Sequence, residues 1–508
     1  MYLRAGIFSL GLLLLSRLLG LARESVQAAA FGSTGMADVV IVMFTLPDLL
    51  VGIFLSGALA YVLLPCWAGQ SVAEQNVSQK KVAHKLLASG LLLSLVIWRL
   101  QDPLAQALAP GLKGAMKALG ASSLGWSAAV LPLAMLAALW VTRLQHARDF
   151  IGMYAGNLLV NGLLVAALLL VAAGYLNAGT TFGLGLFLML AMFARLAWLG
   201  WRLRPVRTFS AASFAPADQS KNSALPGPNV WIWAGLSSGL LLLLPLVGRS
   251  IASRGGEGAL ANFNYAWKLV ELPLVLAVQL VASLAFPAIT RTAAGSPERE
   301  KALQLAFSLA WALACAAVAV VVTFSLPLAT LLFGWGRMGA EKLNTIAQWS
   351  AIGVWSLLPQ ALIAVLLTVL AVSQRMQVAV WAYLMALAAL VFFGWAGASG
   401  GPQDVSATGA GVMWVLNAVL SGVALVLLVA ERAGVKRTFP WFSCLVALLV
   451  TALLISLKPL VVGLSVPSTL LLCCIYGVLV VGSGVLASPL LRALLFDRLG
   501  QSKLMPKP

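Results

Sequence analysis

Charged side chains are scarce in this sequence. Only 9% of its 508 residues are Asp, Glu, Lys or Arg, and the acids number 15 against 33 bases. A soluble domain carries about 25% charged and ~45–50% apolar residues. This chain is 61% hydrophobic with a mean hydropathy of +0.98, so an ordinary soluble fold is excluded. Histidine is nearly absent, with two copies, and the five cysteines (Cys66, Cys315, Cys444, Cys473, Cys474) show neither metal nor disulfide spacing. They read as packing residues. No stretch offers GxSxG, HExxH, a phosphate-binding loop or clustered carboxylates in polar sequence. An enzyme is therefore not expected, and no cofactor or metal is implied. The net charge of +18 could point to nucleic acid, but the Lys and Arg lie in short loops, too short to fold as a binding module. Topology-setting charge accounts for them.

What the chain has instead is long apolar runs. About 20 apolar residues at 1.5 Å each cross a hydrocarbon core, and on that rule fourteen spans are expected. They lie near 5–22, 36–66, 86–108, 123–143, 150–174, 178–201, 229–254, 259–290, 302–333, 343–372, 377–397, 407–430, 438–463 and 466–491. Arg99, Asp102 and Pro103 interrupt the third, so 103–119 is alternatively an amphipathic helix lying on the surface. The N-terminal MYLRAGIFSLGLLLL has the look of a signal peptide, but Arg17 within its apolar core argues that it stays as a span. With the N-terminus inside, most of the Lys and Arg fall on the inner side, which predicts that both termini are cytoplasmic.

Residues 204–228 form the one long polar linker, rich in Pro, Ser, Ala and Asn. They divide an N-lobe of six helices (1–203) from a C-lobe of six (229–431), followed by two additional helices (432–491) and a cytoplasmic tail (492–508). The predicted fold class is thus an all-α polytopic membrane protein, two pseudo-symmetric six-helix lobes plus two C-terminal helices. Because six is even, the lobes share one orientation, a parallel repeat. An internal echo supports this, since LPDLLVGIF…LLPCWA in the second span resembles LPLVLAVQL…AFPAIT in the eighth. Pro47 and Pro273 occupy matching early places as helix-bending residues, and Pro65 and Pro287 matching late ones.

Residues 16–66 carry ionisable groups where a membrane helix should have none. A charge at the bilayer centre costs at least ~2.5–3.5 kcal/mol, so such groups usually face a protein-lined or watery interior. Counting depth along the helices puts Arg17, Arg23, Arg249 and Lys268 at compatible heights, and they are expected to line one basic cavity open to the outside. That cavity suits a pyrophosphate, for which Arg offers a fixed fork of donors and Lys a mobile charge. Asp38, Glu24, Glu271 and Asp48 are the candidates for balancing these cations or gating the cavity. For Arg23, Arg249 and Arg254 the competing reading is snorkelling to headgroups, and Asp48, following Pro47, can instead cap a helix segment. Arg143, Arg195 and Arg202 are read as snorkelling residues, and His84 and His146 as solvated.

SRLLGLARES followed by FGSTGMADVVIVMFTLPDLL, together with NYAWKLVELPLVLAVQLVASLAFPAIT, resembles the MurJ (MviN) lipid II flippase family of the multidrug/oligosaccharidyl-lipid/polysaccharide exporter superfamily. The resemblance is specific over 16–66 and 263–291. It implies a two-lobed fold whose last two helices help bind a lipid tail, and alternating-access movement of an undecaprenyl-pyrophosphate-linked peptidoglycan precursor between leaflets of the bacterial inner membrane. By the same resemblance the cavity arginines of the first helix match Arg17 and Arg23, the acid of the second helix matches Asp38, and an eighth-helix arginine is replaced by Lys268. The chain departs from the pattern after LPDLL, where a pair of arginines and an acid give way to Val51, Gly52 and Ser56. Prolines of the fifth helix appear as Gly152 and Gly156, and the sodium-site acids of the second lobe have no counterpart.

The function expected is a flippase for a polyprenyl-pyrophosphate-linked saccharide, with lipid II the best substrate. An exopolysaccharide or O-antigen unit is the close alternative. Export of small organic cations is disfavoured by a positive cavity, and a transport-dead scaffold is the remaining reading. Partners are then the lipid-linked saccharide, membrane lipids and the cell-wall synthesis machinery, with no nucleic acid.

Overall fold

The computed structural model describes residues 2–53, 59–68, 70–211, 225–274, 281, 296–373, 375–398, 405–431, 438–461, 465–490 and 492. Among these, every regular element is helical. Seventeen α-helices follow one another: α1 (Tyr2–Phe31), α2 (Gly35–Ile53), α3 (Leu59–Ala68), α4 (Val72–Arg99), α5 (Gln101–Leu108), α6 (Gly114–His146), α7 (Phe150–Ala172), α8 (Phe182–Ala211), α9 (Pro228–Ser253), α10 (Ala259–Pro273), α11 (Pro297–Phe333), α12 (Ala340–Gly353), α13 (Leu357–Val372), α14 (Met376–Ala398), α15 (Val405–Ala430), α16 (Trp441–Ser456) and α17 (Val466–Ala487). Among the described residues ten helical stretches are long and apolar enough to cross a membrane, or eleven if the two pieces bent by 46° within α9 form one span. Each of the fourteen apolar segments holds a helix. Much of the 204–228 linker, Pro287 and most of the tail lie outside the described residues.

Two boundaries differ from expectation. Helix α4 starts at Val72, well before residue 86, because Ser71 and Glu74 close a capping box there. Its first turns are polar and so escape a hydropathy count. Residues 103–119 do not form one surface helix. Pro103 sits in the first turn of α5, which ends at Leu108, and 114–119 already belong to α6.

By contacts the chain divides into two compact units. The first comprises 1–262, 333–340 and 402–408, and the second 263–332, 341–401 and 409–508. Within the first, α6 is the hub, packed by α2, α4 and α8, while α1 lies along α7. Leu59, Leu63 and Trp67 of α3 meet Val82, Ala138 and Leu139 in one cluster, and Ala137, Val141 and Leu144 meet Leu199 and Leu203 in another. In lipid, close packing and satisfied hydrogen bonds hold helices together, since the surroundings are as apolar as the core. The prolines show the second requirement. Pro47 in α2 and Pro132 in α6 lack the N–H that would serve the carbonyls of Met43 and Ala128. Ser127 Oγ donates to Met43 and Ser94 Oγ to Ala128, both at 2.5 Å.

Two arginines expected at headgroups are instead held by protein. Arg143 is 2% exposed, donates to Gln75 Oε1 and lies 5.2 Å from the ring centre of Trp67. Arg202 grips Asp149 with two bonds of 2.8 and 2.7 Å. His146 sits edge-on to Trp67 at 5.7 Å. The turns after α3 and α6 fold back and bring acceptors that no local rule reveals.

In the second unit, Cys315, Ala316, Ala319 and Phe324 of α11 pack against Ala447 and Leu454 of α16 and Tyr476 and Val480 of α17. Thr451 Oγ1 donates to the Cys315 carbonyl and Trp311 Nε1 to that of Cys444. Cys315 and Cys444 are buried here, whereas Cys66 and Cys473 are half-buried and Cys474 is exposed.

Candidate functional site

Arg23 is the centre of the ionic cluster in the first unit. It is 8% exposed, and its Nη2 reaches Glu24 Oε1 at 3.0 Å and Asp48 Oδ2 at 2.9 Å. Its guanidinium also lies 5.4 Å from the ring centre of Phe44. Helix α2 supplies this geometry directly, because Phe44 and Asp48 are one turn apart on the same face. The two carboxylates differ in surroundings. The Glu24 side chain is 6% exposed and that of Asp48 56%, so the cluster is sealed on one side and open on the other.

Arg17 stands seven residues before Glu24, two helical turns and about 10 Å along the same stripe of α1. It is exposed. Arg249 is half-buried near the end of α9. Position 52, where the resemblance predicts an arginine, is a glycine whose missing Cβ would stand 3.0 Å from Leu242 of α9, so the two helices are close there.

Asp38 lies apart from this cluster. It is 1% exposed, and its two oxygens accept the backbone N–H groups of Gly258 and Ala261 at 2.7 and 2.8 Å. It thereby caps the start of α10 from the first turn of α2. Around it the chain closes tightly. Ser33 Oγ donates to the Gly258 carbonyl at 2.8 Å, Ser253 Oγ accepts the Gly111 N–H, and the Arg337 N–H reaches the Ala29 carbonyl at 3.0 Å. Gly258 (φ +81°) and Gly336 (φ +63°) are required here, since a Cβ would fall 2.3 Å from the Ser33 oxygen and 2.4 Å from that of Ala29.

In the second unit, Lys268 Nζ pairs with Glu271 Oε2 at 2.8 Å, one turn along α10, both side chains partly exposed. Pro273 is the last residue of that helix. Of the residues picked out by sequence, the structure brings Arg23, Glu24 and Asp48 together, places Asp38 on backbone amides rather than on a cation, and pairs Lys268 with Glu271.

Arg195 was not singled out by sequence. Read as a residue near a span's inner end, it lies in the middle of α8, which continues to Ala211. It is 2% exposed, not snorkelling. Its stem lies against α7, with Cγ 3.6 Å from where a Gly156 Cβ would stand. Among the described residues no group of three or more His, Cys, Asp or Glu is placed to hold a metal.

Chemically, the Arg23 cluster is an anion site occupied by the protein's own carboxylates. The family whose model matches residues 27–472 is described as "Lipid II flippase MurJ". Among curated proteins, the lipid II flippase MurJ of Burkholderia cenocepacia is 24% identical over 373 residues, covering 66% of this chain and 67% of its own. Among solved structures, a lipid II flippase MurJ in an inward closed conformation aligns with a TM-score of 0.76 at 15% identity, covering 97% of this chain and 99% of its own. An inward-facing multidrug resistance MATE family transporter of the MOP superfamily aligns with a TM-score of 0.59 at 15% identity, covering 88% and 96%. At such identities the structural likeness speaks for the fold.

Proposed function

The chain belongs to the lipid II flippase MurJ family, and on that premise we propose that it carries lipid II across the bacterial inner membrane by alternating access. It is a multi-pass transporter and not an enzyme. The observation that carries the reading at residue level is the buried Arg23, held between Glu24 and the open Asp48. Keeping such a charge within membrane-length helices is costly unless it serves a substrate, and a diphosphate is the lipid-borne group that matches the fork of an arginine.

In this reading Arg17, Arg23, Arg249 and Lys268 receive the diphosphate, with Glu24, Asp48 and Glu271 as the counter-charges it displaces. Asp38 holds the end of the bundle near residues 29–38 closed, and that end faces outward if both termini are cytoplasmic. Pro47 allows α2 to bend as the lobes 1–203 and 229–431 exchange access, with Pro273, at the end of α10, as the matching proline of the second lobe.

The test is complementation of a cell depleted of its own lipid II flippase, with lipid II at the outer face measured by its accessibility to an externally added cleaving enzyme. Wild-type chain restores growth and accessibility, and Arg23→Ala at equal expression restores neither. Normal expression without rescue overturns the reading.

A further inference from the structure

Gln27 is the one polar residue among positions 26–31, where valine, three alanines and phenylalanine make up the rest of the last turns of α1. It is 1% exposed. Its Nε2 has no hydrogen-bond partner among the described residues, and the same holds for the Nε of Arg23. The two residues stand four apart on one face of α1, which brings their Cβ atoms to about 5–6 Å. Two buried N–H donors, one of them charged, thus lie unmet within one turn of each other. A buried donor left unmet carries the full desolvation cost of the group, so stability alone favours an apolar residue at position 27. Two residues further on, the Ala29 carbonyl accepts the Arg337 N–H at 3.0 Å. Gln27 therefore lies between the Arg23 cluster and the closed turn at this end of the bundle.

We propose that Gln27 is a further substrate-binding residue, its side-chain amide acting with the Arg23 Nε–H as a pair of donors for the oxygens of the lipid's diphosphate. The inference rests on the flippase reading. Nη2 of Arg23 is engaged by Glu24 and Asp48, so the Nε edge is the one that takes a phosphate oxygen before either ion pair breaks. An amide one turn away adds a donor without adding a second cation that the two carboxylates would have to balance. In the closed form Ala28 and Ala30, at 0% and 1% exposed, seal this turn. Opening of the cavity uncovers the donors, and a seated diphosphate satisfies both. The unmet pair thus raises the free energy of the empty closed form and is relieved by substrate, which is differential binding between two states. An uncharged isoprenoid end offers one hydroxyl and no charge, so the pair favours the diphosphate.

The experiment pairs two measurements on the purified full chain, binding of undecaprenyl diphosphate by native mass spectrometry, with undecaprenol as the neutral control, and the thermal melt of the lipid-free protein. Gln27→Met keeps the length of the side chain and removes the donor. It is expected to weaken diphosphate binding about tenfold, leave undecaprenol unchanged, and leave the lipid-free melt equal to wild type or higher, because an unmet buried donor is gone. A residue that only packs shows the opposite sign in the melt. Gln27→Leu is measured alongside, and whichever variant keeps the wild-type melt is judged by binding. Diphosphate binding weakened less than threefold, an equal loss for undecaprenol, or a lower melt or failure to fold in both variants overturns the proposal. Wild-type protein that binds neither lipid overturns the transport reading itself, a result separate from loss confined to the variants.

Discussion

The Asp38 carboxylate accepts the backbone N–H of Ala261 at 2.8 Å and that of Gly258 at 2.7 Å, tying the first turn of α2 to the start of α10. Hydrogen bonds to a charged group contribute about 1.5–3 kcal/mol each, and both are buried. Asp38→Ala is expected to lower the stability of the purified protein by roughly 2–4 kcal/mol, read as an earlier thermal melt. It is also expected to speed labelling of a cysteine placed at Ser33, which bonds the same turn. Unchanged labelling would show that the clamp does not hold this end closed.

Gly258 supplies a second check on the same turn. Alanine there meets the Ser33 oxygen at 2.3 Å and must hold φ near +81°, whereas alanine at Gly114 (φ +50°) meets nothing within 4 Å. The left-handed backbone alone costs about 1–2 kcal/mol. Gly114→Ala is expected to cost about that much, and Gly258→Ala clearly more, with loss of complementation. Equal melting temperatures for the two variants would contradict the close approach.

At the ionic cluster the order of effects follows burial. Arg23→Ala removes the cation from two carboxylates at once and is expected to cost about 3–5 kcal/mol, as breaking buried pairs does. Glu24→Ala is expected to cost less, and Asp48→Ala least, since the Glu24 side chain is 6% exposed and that of Asp48 56%. Arg23→Lys keeps the charge but loses the fork, so it is expected to fold while complementing poorly. Thermal melts alongside growth assays separate these effects, and a Lys variant as active as wild type would remove the need for a fork.

The spans were legible because length and hydropathy are local properties. Arg23, Glu24 and Asp48 were legible because a charge inside an apolar run announces itself. What stayed hidden involved partners that carry no residue label. Asp38 reads as a counter-charge for arginines, yet it bonds main-chain amides, and any residue can supply those. Arg143 and Arg195 read as headgroup-seeking because depth was counted from hydropathy. Gln75 in the first turns of α4 and Trp67 of α3 shelter the first, and the long polar extension of α8 puts the second at mid-helix. Glycines 258 and 336 are unremarkable in sequence and become constrained only by what passes over them.

Pro47 and Ser127 form the most economical test of how α2 is held. Pro47 removes the N–H that would serve the Met43 carbonyl, and Ser127 Oγ of α6 serves it instead. In hydrocarbon an unsatisfied carbonyl has no water to turn to, so Ser127→Ala is expected to destabilise the protein by about 1–3 kcal/mol. Replacing Pro47 by alanine restores the helical N–H, and the carbonyl then has a donor within its own helix. In the Pro47→Ala background, Ser127→Ala is therefore expected to cost less than about 0.5–1 kcal/mol, and the difference is the coupling that a double-mutant cycle reports. Additive losses in the four melts would mean that the Ser127 hydroxyl does not compensate for the proline. Because straightening α2 also removes a bend, Pro47→Ala is expected to lower complementation even where it raises the melting temperature.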